Sequence, residues 1–257
     1  MKVTIEIETV PCLDDNYAYI IHHQNKNITC LIDAPEAKPI IEILDRRGWT
    51  LDKIVLTHHH SDHVAGINEL LKHHPSVVFG AAADVERLPN LDQTLKENDF
   101  FYLGNIKFLI MDVSGHTIGH IALYSKEMGV VFTGDSLMTL GCGRLFEGSP
   151  ELMWKTLIKF TQLPPDTLIY SGHEYGEKNA SFAISIDPNN EKLRKRFTSI
   201  KELRSKNIPT VPSTIKNELE TNPFLRAGNS EIKKLLNMTQ YEDQKVFAEV
   251  RDRRNDF

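Results

Sequence analysis

Four side chains able to hold a metal ion, His58, His60, Asp62 and His63, fall within six residues of the stretch Thr57-His58-His59-His60-Ser61-Asp62-His63. Imidazole and carboxylate together make a nitrogen and oxygen environment that suits zinc, iron or manganese. In extended backbone, residues two apart point the same way, so His58 and His60 share a face while His59 alternates away as a structural residue. Asp62 and His63 fall where the chain turns into a helical pattern, able to address a second point in space. That spacing predicts two neighbouring ions. One stretch cannot fill two coordination shells, so other segments must supply further ligands.

The elements around the stretch say where those ligands sit. The apolar run Ile54-Val55-Leu56 predicts a strand over 53–57, and the pattern after it predicts a helix over 64–72. Further strands are expected over 3–8, 17–22, 28–33, 77–80, 107–113, 121–125, 130–133 and 167–171, with helices over 39–47 and 151–160. Pro39 suits the first turn of the first helix and Gly48 its end. Three of these strands end in the same way. His116 follows Gly115, Asp135 follows Gly134 and His173 follows Gly172, each a metal-capable side chain on the loop leaving an apolar run. A lone His after a strand is more often a capping or surface residue. Four strand exits carrying such groups together point to one shared edge, where layered α/β folds place their sites. His22, His23, His73 and His74 have ordinary explanations, the last two at a helix C-terminus. His120 opens the next strand and is left outside the ligand set.

Beyond Gly172 the pattern becomes helical, over 191–204, 215–219, 231–236 and 241–254. Thr239 followed by Glu242 fits a capping box for the last of these. The organisation expected is an α/β domain over 1–173 and a smaller all-α domain over 174–257.

Composition is that of an ordinary globular protein, 40% hydrophobic and 25% charged. No apolar run approaches the roughly 20 residues needed to span a bilayer. The N-terminus alternates like a strand and lacks a signal-peptide core, so a cytoplasmic setting is the expectation. Cys12, Cys30 and Cys142 are widely spaced and read as free structural thiols. The net charge of -5 argues against nucleic acid as a partner. It is uneven, with 15 Lys/Arg against 10 Asp/Glu over 191–257.

With these residues in place, the chain resembles the metallo-β-lactamase superfamily, and more closely the glyoxalase II (hydroxyacylglutathione hydrolase) family. Gly141-Cys142-Gly143-Arg144, Gly172-His173-Glu174-Tyr175 and Asn222-Pro223-Phe224-Leu225-Arg226 carry the closer likeness. The resemblance implies a four-layered αββα sandwich followed by the helical domain. It also implies a ligand set: His58, His60 and His116 for one ion, Asp62, His63 and His173 for the other, and Asp135 bridging. Asp62, His63 and Asp135 would then be the catalytic residues, and two divalent ions the cofactors, zinc ahead of iron or manganese. The activity implied is hydrolysis of S-D-lactoylglutathione by a metal-activated hydroxide, with no Ser or Cys nucleophile. Arg144, Phe146, Tyr175, Arg251 and Arg254 match positions that bind the glutathione part. Two of them depart from the family pattern: Phe146 stands where Tyr is frequent, and Arg254 where Lys is common. A monomer acting on a small molecule, with neither nucleic acid nor membrane as partner, completes the expectation.

Gly134-Asp135-Ser136-Leu137 also spells the signature of a serine esterase family, but that chemistry needs a later His preceded by Asp, and no His follows His173. The remaining alternatives are other enzymes of the superfamily (a lactonase, a persulfide dioxygenase, a processing ribonuclease) and a non-catalytic metal-binding regulator. The helical C-terminal segment favours glyoxalase II over each of those enzymes, whereas a regulator would show metal content without turnover.

Overall fold

Apolar runs become strands through the first of two units that the chain forms in a computed structural model describing residues 4–257. This unit takes residues up to Asp112 together with Gly119–Met128. It contains β1 (Ile5–Cys12), β2 (Asn16–His23), β3 (Ile28–Ile32), α1 (Ala37–Arg47), β4 (Lys53–Leu56), α2 (Ser61–Val64), α3 (Ile67–His73), β5 (Val77–Ala81), β6 (Gln93–Leu95), β7 (Phe100–Leu103), β8 (Ile106–Asp112) and β9 (Ile121–Ser125). The first six strands form one sheet in the order β1-β2-β3-β4-β5-β6. Its first three strands are antiparallel, whereas β3, β4, β5 and β6 run parallel. A parallel pair needs a crossover, which α1 supplies from β3 to β4 and α2 with α3 supply from β4 to β5. The apolar stripe of α1, Ile40 and Leu44, packs with Leu31, Ile54, Leu56, Ile67, Leu70 and Val78 in a core closed to solvent. β7, β8 and β9 form an antiparallel meander.

Two expectations shift here. Of the strand expected over 3–8, Val3 lies outside the described residues, and the strand continues to Cys12 in register with β2 from Ile5↔His23 to Cys12↔Asn16. The helix expected over 64–72 is two helices, α2 and α3. The break has a cause in hydrogen bonding: Ala34 N donates to His63 O and Gly66 N to Ala34 O, both at 2.8 Å, which pins the chain between them to the loop after β3. Gly48 ends α1 in the left-handed conformation, φ 66°.

The second unit takes Val113–Ile118 and Gly129–Phe257. Its elements are β10 (Val130–Gly134), β11 (Leu137–Met138), β12 (Gly141–Cys142), α4 (Pro150–Thr161), β13 (Leu168–Ser171), α5 (Gly176–Ile186), α6 (Glu191–Ser205), β14 (Ser213–Thr214), α7 (Ile215–Thr221), α8 (Ser230–Leu235) and α9 (Asp243–Asp256). β10 is parallel to β13, and β13 antiparallel to β14. Ser149 caps α4 by accepting from Leu152 N, with Pro150 in the first turn. Asn190, Thr214 and Asn229 cap α6, α7 and α8 in the same manner. The capping box expected at Thr239 and Glu242 does not form. Glu242 itself occupies the N-cap of α9 and makes no side-chain cap bond. Phe182, Phe224 and Phe247 are fully buried and join α5 and α9 to the segment after α7. Among the described residues, no helix is long and apolar enough to cross a membrane.

Candidate metal centre

Each unit holds its own group of ligand-type side chains. In the first, β4 ends at Leu56 and the chain delivers His58, His60, Asp62 and His63 over the next seven positions. Ligand atoms of His58 lie within 4.8 Å of those of His60 and of His63, and those of Asp62 within 4.8 Å of those of His63. His58 Nε2 and His60 Nδ1 are 3.1 Å apart. Two imidazole nitrogens that close must share either a proton or a cation.

The ring orientations are set by oxygen atoms behind them. Thr57 Oγ1 donates to Asp33 Oδ2 at 2.9 Å, so its lone pair accepts Nδ1–H of His58 at 3.0 Å. His63 Nδ1–H donates to the same Asp33 oxygen at 2.9 Å. Both histidines therefore carry their lone pair on Nε2, the tautomer a metal needs. Asp62 is steadied by Asn16, whose Nδ2 reaches its Oδ2 at 3.0 Å and its backbone carbonyl at 2.9 Å. His120, closed to solvent, stacks on His58 with ring centroids 4.5 Å apart. His59 turns elsewhere, to Asp84 Oδ2 at 2.9 Å, and Asp84 also takes Arg87 Nε.

In the second unit, Asp135 leaves β10 and His173 leaves β13, each just past a glycine, while His116 lies in the short segment before β9. His116 Nε2 lies 3.4 Å and His173 Nε2 3.2 Å from one oxygen, Asp135 Oδ2. All three residues are buried. Again the far ring nitrogen is anchored: His116 Nδ1–H donates to Arg144 O at 2.7 Å. Gly143 permits this closeness, because a Cβ there would stand 2.0 Å from Asp135 O and 2.9 Å from His116 Nδ1. His173 stacks face to face on Tyr175, centroids 4.7 Å apart.

These donor sets fit divalent metal ions. They combine imidazoles with carboxylates beside them, and a supporting layer of hydrogen bonds orients the rings of His58, His63 and His116.

The positions expected to meet substrate divide by exposure. Phe146 is 61% exposed, its ring set edge-on to that of His116 with centroids 5.3 Å apart and the Arg144 guanidinium 5.8 Å from its own centroid. Arg254 lies over Phe182 and donates to Asn179 Oδ1 at 3.3 Å. Burial and the neighbouring charge of Arg251 hold its guanidinium below the usual Arg range. Arg251 is only 6% exposed, and its two terminal nitrogens reach Cys142 O at 3.0 Å and Asn255 Oδ1 at 3.1 Å.

Sequence reasoning missed Asp33, Thr57 and Asn16, and left His120, which packs on His58, outside the ligand set. For Asp33 a signal existed, since it follows β3 as the ligands follow their own strands.

Residues 13–173 match the metallo-β-lactamase superfamily and residues 174–257 match a family described as hydroxyacylglutathione hydrolase C-terminus. Solved structures agree on the fold. A metallo-β-lactamase from Staphylococcus aureus superposes with a TM-score of 0.67 at 21% identity, covering 98% of this chain and 71% of that one. The B3 metallo-β-lactamase BLEG-1 gives 0.65 at 20% identity over 86% of this chain and 99% of its own. TTHA1623, solved in a di-iron-bound form, gives 0.63 at 23% identity over 86% of this chain and 100% of its own. The fold and its His/Asp clusters are those of the metallo-β-lactamase superfamily. Within it, a hydroxyacylglutathione hydrolase of Ruegeria pomeroyi is 53% identical over 98% of this chain and 99% of its own length. One of Roseobacter denitrificans is 51% identical over the same shares. The chain belongs to the hydroxyacylglutathione hydrolase family, a family of thioester hydrolases.

Proposed function

We propose that the chain hydrolyses S-D-lactoylglutathione, or a close S-(2-hydroxyacyl)glutathione, to glutathione and the hydroxy acid at a centre of two divalent ions. His58, His60 and His116 would hold one ion and Asp62, His63 and His173 the other, with Asp135 bridging. Zinc leads iron and manganese as occupant. The observation that carries this reading is Asp135 Oδ2, met by both His116 Nε2 and His173 Nε2 at 3.4 and 3.2 Å. A carboxylate with one oxygen set between two imidazole nitrogens could serve an ion held at either ring, which is the part a bridging ligand plays.

When bound, such a pair of ions supplies a water acidic enough to be deprotonated near neutral pH and charge stabilisation for the thioester carbonyl. The chain's own residues do the rest. Asp33, through Thr57 and directly, keeps His58 and His63 in the ligand tautomer. Asn16 fixes Asp62. No residue is needed to protonate the leaving group, because a thiol of pKa about 8.5 departs readily as thiolate. Arg144, Phe146, Tyr175, Arg251 and Arg254 form the glutathione-binding set, with the arginines facing the carboxylates of the peptide. Residues 1–173 serve as the catalytic domain and 174–257 as the substrate-binding domain. A cytoplasmic monomer is the setting assumed.

The test is decay of the thioester absorbance when purified, metal-loaded protein meets S-D-lactoylglutathione. Rapid decay supports the assignment, and a flat trace at full metal content overturns it. His58→Ala and Asp135→Ala should each lower kcat/KM by at least about a hundredfold, the equivalent of roughly 2.7 kcal/mol. Near-normal rates from either would remove the two-ion reading.

A further inference from the structure

The C-terminal helices do more than carry residues proposed to meet substrate. Four consecutive backbone groups of the strap through β11 and β12 are each gripped by a different side chain from beyond residue 175. Asn179 of α5 donates to Thr139 O at 3.0 Å. Glu218 of α7 accepts from Leu140 N at 2.8 Å. Asn222, just past α7, donates to Gly141 O at 3.0 Å, and Arg251 of α9 to Cys142 O at 3.0 Å. These gripping groups are themselves tied. Glu218 Oε2 accepts from Asn222 at 2.9 Å, while its Oε1 accepts from Arg196 and Ser213. All four are buried. Leu140 is held at φ 56°, a conformation that costs a non-glycine residue free energy and persists only where its surroundings enforce it. The strap then runs straight into the ligands. Gly143 lies against Asp135 O and His116 Nδ1, and Arg144 O receives the ring proton of His116.

We infer that this clamp of Asn179, Glu218, Asn222 and Arg251 sets the orientation of His116 and Asp135, and through them the affinity of the centre for metal. Arg251 is on this inference a positioning residue for the metal centre, in addition to any contact with substrate. The inference rests on the metal assignment above and deepens it. Loss of a hydrogen-bond partner that orients a ligating imidazole typically costs about 10–100-fold in metal affinity, and the clamp bears on such a partner, the Arg144 carbonyl, two residues from its last grip.

The experiment uses the full chain. Zinc affinity is measured by chelator competition and ligand geometry by the visible spectrum of the cobalt(II) form, for wild type, Arg251→Met, Arg251→Lys and Glu218→Gln, with folding checked by circular dichroism. Arg251→Met should weaken zinc binding about tenfold and shift the cobalt bands. Arg251→Lys keeps the charge but cannot span Cys142 O and Asn255 Oδ1 together, so it should fall between. Glu218→Gln should move affinity in the same direction as Arg251→Met. If the folded variants match wild type in both readouts while KM alone rises, Arg251 serves substrate only and the inference is overturned. Should Arg251→Met not fold, Arg251→Lys decides by the same criterion. A wild-type chain that binds no metal would instead overturn the metal assignment itself, a separate result.

Discussion

One carboxylate, Asp33, decides the protonation pattern of two histidines. Its Oδ2 takes the Thr57 hydroxyl and the His63 ring N–H, and the Thr57 oxygen in turn takes the ring N–H of His58. Asp33→Asn keeps the shape but can set an NH2 against His63 Nδ1–H. Relief comes from moving the ring proton to Nε2, which removes the lone pair facing Asp62. Zinc affinity should fall about 10–100-fold with the fold intact, read by chelator competition and circular dichroism. Unchanged affinity would show that the tautomer is set elsewhere. The sequence offered only its place after a strand, which an Asp also takes as a turn former, and its φ of 59° is a conformation Asp tolerates. The ligand-type residues themselves were legible, since imidazoles and carboxylates at four strand exits leave a pattern that spacing alone can carry. The cysteines were legible too. All three are free and buried. Burial, then the charge of Glu36, pushes the Cys12 thiol up to about 12, and burial also raises Cys30 and Cys142. With the thiolate scarce until well above pH 8, iodoacetamide at pH 8 should leave the native protein unlabelled by mass spectrometry and label all three positions after unfolding. Rapid native labelling of Cys142 would mean that its enclosure opens.

At the scale of elements, length decided what could be read. The amphipathic stripe expected over 39–47 became α1, Ala37–Arg47, and the run over 191–204 became α6, Glu191–Ser205. Strands of two residues, β11 and β12, carry no period to detect, yet they form the strap beside the ligands. The helix α5 was missed because its start, Tyr175, offers no side-chain cap and its sequence opens on Gly176. The division between α2 and α3 was hidden for another reason, a tertiary contact. A Cβ on Gly66 would stand 2.6 Å from Ala37 N and 2.8 Å from Glu36 C, backbone atoms that cannot swing aside. Gly66→Ala must therefore push the turn carrying Asp62 and His63 away from the start of α1. A loss of about 1–3 kcal/mol in urea unfolding is expected from such overpacking, together with weaker metal binding. A variant as stable as wild type would show that the loop before α1 yields freely.

At the scale of the whole chain, family membership was readable because its marks are side chains of distinctive chemistry spread from His58 to Arg254. The grip of the C-terminal helices on the strap was not, because Glu218, Asn222 and Arg251 lie 78, 81 and 109 residues from the groups they hold, and such polar pairs leave no periodic trace. Charge, by contrast, can be summed without any structure. Residues 191–257 carry 15 Lys/Arg against 10 Asp/Glu within a chain of net charge -5, so the basic excess is confined to one end. A glutathione thioester brings two carboxylates, and that end is where the proposed reading places their partners. Attraction between partly exposed charges is screened as the Debye length shrinks from about 10 Å at 0.1 M salt to about 3 Å at 1 M. Raising sodium chloride from about 0.05 to 0.5 M should therefore raise KM several-fold while kcat stays within about twofold, because binding and not the reacting centre draws on the screened charges. Arg254→Met should flatten that dependence and start from the higher KM. If KM is indifferent to salt in the wild-type enzyme, the basic end is a solvated surface and the thioester is held by contacts that carry no net charge.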